Sequence, residues 1–84
     1  ELQQNFPNPF NPTTQIRFSL AEQSQVTLKV YNILGKEIAT LVNDVKGAGV
    51  HEVSFNGTGL ASGVYFYTLQ TGKFTQTNKM ILVK

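Results

Sequence analysis

Apolar and polar residues alternate one by one through much of this 84-residue chain. A period of two places every second side chain on one face of an extended strand, whereas a helix needs a period of 3.6 residues, which no stretch sustains. The alternating runs lie at residues 16–20, 26–31, 52–55 and 64–69. The pattern therefore predicts an all-β fold. The last of these runs is apolar at nearly every position, which predicts a strand in the middle of a sheet with both faces covered.

Turn-forming residues separate these runs at the short spacing that is typical of β-sandwiches. They lie at residues 21–24, 32–36, 46–49, 56–59 and 71–73, and Gly35 can adopt a positive φ in the second turn. Six strands are predicted, with a seventh short strand near residues 2–6. Residues 37–42 are compatible with a strand or with one helical turn. We predict an immunoglobulin-like antiparallel sandwich of about seven strands with Greek-key connections.

A tyrosine at the start of the strand at 64–69 follows a leucine by five residues. Leu60, Gly63 and Tyr65 form this pattern, which is typical of the tyrosine corner of Greek-key sandwiches. In that corner the phenol hydroxyl bonds to the upstream backbone and fixes the crossover between the sheets. The alternative is that Tyr65 is only an amphipathic residue at the edge of the core.

All three prolines fall within six positions near the N-terminus, in the segment 5–13 that we call the proline arm. Each proline fixes φ and restricts the residue before it, which predicts a stiff, kinked and extended chain. Phe6 and Phe10 are the predicted anchors of the arm on the body of the domain. Because proline donates no backbone hydrogen bond, the arm could also protect a sheet edge, a role that is compatible with recognition.

Composition and residue spacing argue against catalysis. Apolar residues make up 40% of the chain and charged residues 14%, which suits one small folded domain. There is no cysteine, the acidic residues are widely separated, and His51 is the only histidine. We expect no catalytic, cofactor-binding or metal site, because each needs several such groups together.

The net charge of +2 is dispersed, and the apolar run 80–83 is too short to span a membrane. Nucleic-acid binding and a membrane span are therefore not expected.

The motifs of the chain, and the order in which they occur, resemble those of one protein family. The matching stretches are Asn5-Phe6-Pro7-Asn8-Pro9-Phe10-Asn11-Pro12, Thr14-x-Ile16-x-Phe18-x-Leu20, Val26-x-Leu28-x-Val30-Tyr31-Asn32-x-Leu34-Gly35, Gly49-x-His51-x-Val53-x-Phe55, residues 60–67 and residues 79–84. Together they resemble the type A C-terminal sorting domain of the type IX secretion system of gram-negative bacteria. The first element also occurs in related immunoglobulin-like domains, including that of the flagellar hook-capping protein, so the resemblance depends on the ordered match along the whole chain.

The resemblance implies that residues 1–84 are a single C-terminal sorting domain of a larger secreted protein. The abrupt start at residues 1–3, with no signal peptide, fits a piece of a longer chain. The domain would direct an N-terminally attached cargo across the periplasm to the outer-membrane translocon. A sortase-like peptidase would then remove it, leaving the cargo in the medium or on the cell surface. The cargo, the cleavage position and the oligomeric state stay open.

Two segments are the candidates for recognition by the translocon. The first lies in the proline arm and consists of Pro7, Asn8, Pro9, Phe10, Asn11 and Pro12. The second is the end of the last predicted strand and consists of Lys79, Met80, Ile81, Leu82, Val83 and Lys84. That strand either keeps an edge free for strand addition to a partner or is a plain central strand.

Two other functions are compatible with the sequence. Tyr31, Tyr65, Phe66 and Tyr67 would form an aromatic platform if they were exposed, which would favour a carbohydrate-binding or adhesive module. The absence of tryptophan argues against that function. A structural immunoglobulin-like spacer is the remaining alternative.

Overall fold

Six antiparallel strands in two sheets build the domain. The structure is a computed structural model that describes residues 1–83, and it contains no helix in that range. The strands are β1 (Thr13–Leu20), β2 (Ser24–Tyr31), β3 (Glu37–Lys46), β4 (Gly49–Asn56), β5 (Gly63–Gln70) and β6 (Thr75–Leu82). β1 pairs with β4 in the small sheet, and the large sheet has the order β3-β2-β5-β6. The all-β prediction is confirmed.

The core lies between the two sheets and follows the period-two pattern of the sequence. Its fully buried apolar side chains include Ile16 and Phe18 of β1, Val26, Leu28 and Val30 of β2, Tyr67 and Leu69 of β5, and Met80 of β6. β5 lies inside the large sheet, as predicted, between β2 and β6. Its other face is half-buried rather than covered, because Phe66 lies beside Tyr31 and Lys79 of the neighbouring strands instead of under a further layer.

β3 is the open edge of the large sheet, and it is a strand rather than a helical turn. It runs to Lys46, past the expected end at Val42. Its pairing with β2 shifts register between Leu28 and Lys29 and again between Val30 and Tyr31. Such bulges twist an edge strand and discourage the pairing of a further strand.

The predicted seventh strand is present only as an interrupted pairing of the N-terminal segment, residues 1–12, with β1. Isolated bridges join Leu2 to Phe18 and Phe6 to Gln15. Between the bridges the segment advances four residues and β1 recedes three, so one residue of the segment has no partner in β1. The pairing is therefore irregular at this residue, and two isolated bridges stand where a continuous seventh strand was expected.

Candidate recognition site

The N-terminal segment reaches the outer edge of β6, so the two predicted recognition segments lie side by side. Phe10 N–H donates to the Ile81 carbonyl oxygen at 2.9 Å, and Val83 N–H donates to the Phe10 carbonyl oxygen at 2.9 Å. Phe10 and Leu82 form a parallel bridge. We call this line of contact between residues 1–12 and β6 the seam.

Side-chain amides extend the seam beyond this bridge. The Asn8 Oδ1 accepts from Ile81 N–H at 3.0 Å. The Gln4 Nε2 donates to the Lys79 carbonyl oxygen at 2.7 Å. The Gln76 side chain closes the far end, because it accepts from Leu2 N–H and donates to the Leu2 carbonyl oxygen, both at 3.1 Å.

The outer edge of β6 is therefore occupied within the domain. The seam supplies partners to two carbonyl groups and one N–H group of β6 and to the N–H of Val83, which directly follows β6. A partner strand would have to displace the N-terminal segment before it could pair there. β6 is neither a free edge nor a central strand of a continuous sheet, because its outer neighbour is an irregular segment that pairs partly through side chains.

The predicted recognition residues divide into a buried and an exposed group. Phe10, Met80 and Leu82 are at most 1% exposed and belong to the core. Pro12 and Ile81 are half-buried. The exposed residues are Pro7, Asn8, Pro9, Asn11, Lys79 and Val83, which we call the seam surface. Lys84 lies outside the described residues.

Phe6 does not anchor the arm, contrary to the prediction, because its side chain is 79% exposed. Leu2 points into the core, and regular alternation would bring Phe6 to the same face. The extra residue between the two bridges reverses the alternation, so Asn5 points inward and Phe6 points outward. Phe6 borders a shallow depression of the surface together with Gln15 and Arg17 of β1.

Asn5 and Tyr67 join the N-terminal segment to the large sheet. The backbone N–H of Asn5 has no partner in β1 and donates to Tyr67 Oη at 2.8 Å. Tyr67 Oη donates in turn to the Gln3 carbonyl oxygen at 2.8 Å. The Asn78 Nδ2 donates to the same hydroxyl at 3.3 Å. Burial raises the pKa of the Tyr67 hydroxyl above its ordinary value, and the hydrogen bonds from Asn78 and Asn5 partly oppose this shift.

The Asn5 side chain fixes the start of the proline arm. Its Nδ2 donates to Thr14 Oγ1 at 3.0 Å and to the Pro7 carbonyl oxygen at 3.2 Å. Thr14 Oγ1 donates to the same Pro7 oxygen at 2.9 Å. Asn5 is 2% exposed and Thr14 is 1% exposed, and every buried side-chain polar atom of the described residues has a partner. The sequence pattern gives no sign of this network, because regular alternation places Asn5 on the solvent-facing side, where a polar residue is ordinary.

Gly57 lies beneath the seam, in a stretch for which the sequence predicts only a turn. Its N–H donates to the Pro12 carbonyl oxygen at 2.7 Å. A Cβ atom at this position would lie 3.1 Å from Leu82 Cδ2 and 3.4 Å from Phe10 Cε2. Phe10 also packs edge-on against Phe55, with ring centroids 6.1 Å apart. A side chain at this position would therefore require Leu82 or the turn to shift by a few tenths of an ångström.

The predicted tyrosine corner has its defining hydrogen bond. Tyr65 Oη donates to the Ala61 carbonyl oxygen at 2.6 Å. Leu60 is half-buried against the core, and Gly63 has a φ of 148°. Gly35 also has a positive φ, 82°, in the β2–β3 turn, as predicted.

The titratable residues are dispersed in the fold. Residues 1–83 hold no group of three histidine or acidic side chains close enough to share a metal ion. His51 stacks on Phe18 with ring centroids 5.3 Å apart, and its Nε2 lies 2.8 Å from the Gly47 carbonyl oxygen. Glu52 pairs with Arg17 at 2.9 Å across the small sheet.

On the large sheet, Glu37 pairs with Lys29 at 3.0 Å. The hydrogen bond from Lys29 holds the pKa of the Glu37 carboxyl below its ordinary value. Both side chains are solvent-accessible, so the pair contributes little to stability. Within the described part of the chain, no helix has the length and apolar character to cross a membrane.

A family model of the secretion system C-terminal sorting domain matches residues 4–84, which is nearly the whole chain. The chain belongs to this family of sorting domains. The family is that of type IX secretion, so this sorting domain is a C-terminal signal for export of an attached cargo protein to the cell surface or the medium. No curated protein and no solved structure matches the chain. The matched range includes both sides of the seam.

Proposed function

We propose that the sorting domain is read in its folded form by the type IX outer-membrane translocon and is then removed from its cargo by a sortase-like peptidase. The family match over residues 4–84 is the observation that carries the proposal. In this function the domain is a recognition module and not an enzyme. A signal of this kind needs a stable, defined surface, and it needs no reactive site.

A finer description of the fold belongs to the same proposal. The N-terminal segment pairs first with β1 of the small sheet and then with β6 of the large sheet. A terminal segment that changes sheets in this way, together with the Tyr65 corner before β5, supports an immunoglobulin-like Greek-key sandwich. The segment takes the place of the seventh strand.

The seam surface is the part of the domain that we propose the translocon reads. It combines Pro7, Asn8, Pro9 and Asn11 of the arm with Lys79 of β6 and with Val83, which directly follows β6. Residues from the two ends of the chain meet there only when the domain is folded. Recognition of this surface would therefore distinguish a folded domain from an unfolded one. Phe10, Met80 and Leu82 would contribute indirectly, because they hold the two segments together from inside the core.

Export of a fluorescent cargo tests this function. The cargo carries an N-terminal signal peptide and residues 1–84 at its C-terminus, and it is expressed in a bacterium with a type IX system. We expect fluorescence on the cell surface or in the medium, and loss of the C-terminal domain from the exported product. Cargo that stays in the periplasm of cells with an intact system would refute the proposal.

Surface variants separate recognition from folding. Deletion of residues 80–84 also removes the core residues Met80 and Leu82, so it would unfold the domain and could not locate the surface that is read. Asn11→Ala with Lys79→Glu alters the exposed seam and leaves the core intact. We expect this variant to reduce export at unchanged thermal stability. Lys36→Glu, in the exposed β2–β3 turn, is the matched charge reversal and should be exported normally. Equal export of both variants would exclude the seam surface.

The structure gives little support to a sugar-binding platform. Tyr65 and Tyr67 are buried, and Tyr31 and Phe66 are half-buried, so the four aromatic residues do not form an exposed surface. A spacer role is tested by replacing the domain with an unrelated sandwich of similar size. Normal localisation of that chimaera would favour the spacer over the sorting signal.

A further inference from the structure

We infer that the seam is a mechanical clamp, which resists unfolding when the sorting domain is pulled by its two ends. The relevant observation is the direction of the two segments. The contacts of residues 2, 4, 8 and 10 fall in ascending order on residues 76, 79 and 81 of β6 and on residue 83, which directly follows it. The N-terminal segment and β6 therefore run parallel, as the Phe10–Leu82 bridge also shows.

Parallel segments are loaded in shear when the chain is stretched from its ends. A force on the N-terminus pulls the segment toward the Leu2 end of the seam. A force on the C-terminus pulls β6 toward the Val83 end, in the opposite direction. The hydrogen bonds along the seam then lie across the direction of sliding, so they share the load and must break together. If the two segments were antiparallel, the same force would open the bonds one after another.

The same sliding motion is opposed on the other side of the segment. Gln3 N–H donates to the Arg17 carbonyl oxygen at 2.9 Å, and Phe6 exchanges two backbone hydrogen bonds with Gln15, at 3.0 and 2.9 Å. Residues 1–6 are thus held against β1 while the seam holds the segment to β6. Phe10 adds a buried ring that would have to leave the core before the segment could slide.

This inference goes beyond the proposed function, because it concerns the isolated domain and does not depend on the translocon. The domain carries a cargo at its N-terminal end. If a partner holds the domain while the cargo is pulled, the clamp would keep the domain folded under that tension. A failed export experiment would leave the mechanical inference untouched, and a weak clamp would leave the sorting function untouched.

Single-molecule force spectroscopy in two pulling geometries tests the clamp. In the first geometry the whole chain is pulled from residue 1 and from a handle fused after residue 84. In the second it is pulled from residue 1 and from a thiol introduced as Gly72→Cys, which is unique because the chain has no cysteine. Residue 72 precedes β6, so this force acts on both segments at the same end of the seam and peels them apart. Forced unfolding reports the unfolding barrier, and we expect the end-to-end geometry to need the higher force at the same pulling speed. Equal forces in the two geometries would overturn the inference.

Two single variants locate the resistance in the seam. Asn8→Ala removes the side-chain bond to Ile81 N–H, and Gln25→Ala removes a comparable amide pair with Asn43, at 3.2 Å, between β2 and β3. At a fixed end-to-end force, Asn8→Ala should unfold about fivefold faster than the parent, as expected for the loss of one net hydrogen bond of about 1 kcal/mol that is broken in the transition state for unfolding. Gln25→Ala should unfold at the parent rate. The same rate for both variants would contradict a clamp at the seam.

Discussion

The backbone N–H of Asn5 donates to the hydroxyl of Tyr67 across the sandwich at 2.8 Å. This bond exists because the pairing of the N-terminal segment with β1 contains one extra residue, whose N–H would otherwise have no partner. The irregularity in this pairing therefore links the small sheet to the large one. Tyr67 satisfies Asn5 N–H and the Gln3 carbonyl group with a single hydroxyl.

Removal of this hydroxyl should destabilise the domain more than removal of the tyrosine-corner hydroxyl. Tyr67→Phe leaves a donor and an acceptor unpaired in a largely buried site, so we expect a loss of about 2–3 kcal/mol in the free energy of unfolding. Tyr65→Phe deletes one partly buried bond to the Ala61 carbonyl oxygen and should cost about 1 kcal/mol. Chemical denaturation of both variants measures the difference. An equal or reversed order would contradict the role assigned to Tyr67.

The titration of Tyr67 should make stability fall at high pH. Burial raises the folded-state pKa of its hydroxyl above the ordinary value of 10.0, so the folded domain holds this proton more tightly than the unfolded chain. The stability that this group contributes is complete below the unfolded pKa and is lost as the pH rises from 10.0 through the raised pKa. Denaturant titrations across this interval should show a steeper loss for the parent than for Tyr67→Phe. The difference between the two proteins removes the contribution of the lysines, which titrate in the same range. Identical pH dependence would show that Tyr67 does not contribute.

The two phenylalanines of the proline arm should differ sharply when each is replaced by alanine. Phe10 is 1% exposed and packs against Phe55, so Phe10→Ala should cost about 3–5 kcal/mol. Phe6 is 79% exposed, and Phe6→Ala should change stability by less than about 0.5 kcal/mol. Thermal or denaturant unfolding gives both values. Because small domains are only marginally stable, Phe10→Ala could unfold the domain completely, and that result would also fit. A strong effect of Phe6→Ala would contradict the outward orientation of its ring.

The contrast between these residues shows where sequence reasoning ends. Alternation located the strands, since a side chain that is buried on one face of a sheet must recur every second position. It failed at Phe6, because one extra residue reverses the faces and leaves no mark in composition. It also ended β3 too early, at Val42, because Asn43 and Asp44 are polar and an edge strand tolerates such residues. The sequence predicts recognition roles for both the arm and the last strand, but their contact joins opposite ends of the chain, and local patterns carry no information about it.

Replacement of Gly57 should reveal how closely the turn after β4 packs under the seam. An added Cβ would lie 3.1 Å from Leu82 Cδ2, so either Leu82 or the turn must shift. We expect Gly57→Ala to cost about 1–3 kcal/mol, the usual range for an overpacked core. Gly72→Ala is the matched control, because a Cβ there would meet no atom within 4 Å and its φ is not positive. Alanine lowers the conformational entropy of the unfolded chain relative to glycine. The stability of this control should therefore stay unchanged or rise by up to about 1 kcal/mol. Denaturation of the two variants checks the prediction, and a Gly57→Ala protein as stable as the Gly72→Ala control would show that the Phe10–Leu82 contact can relax.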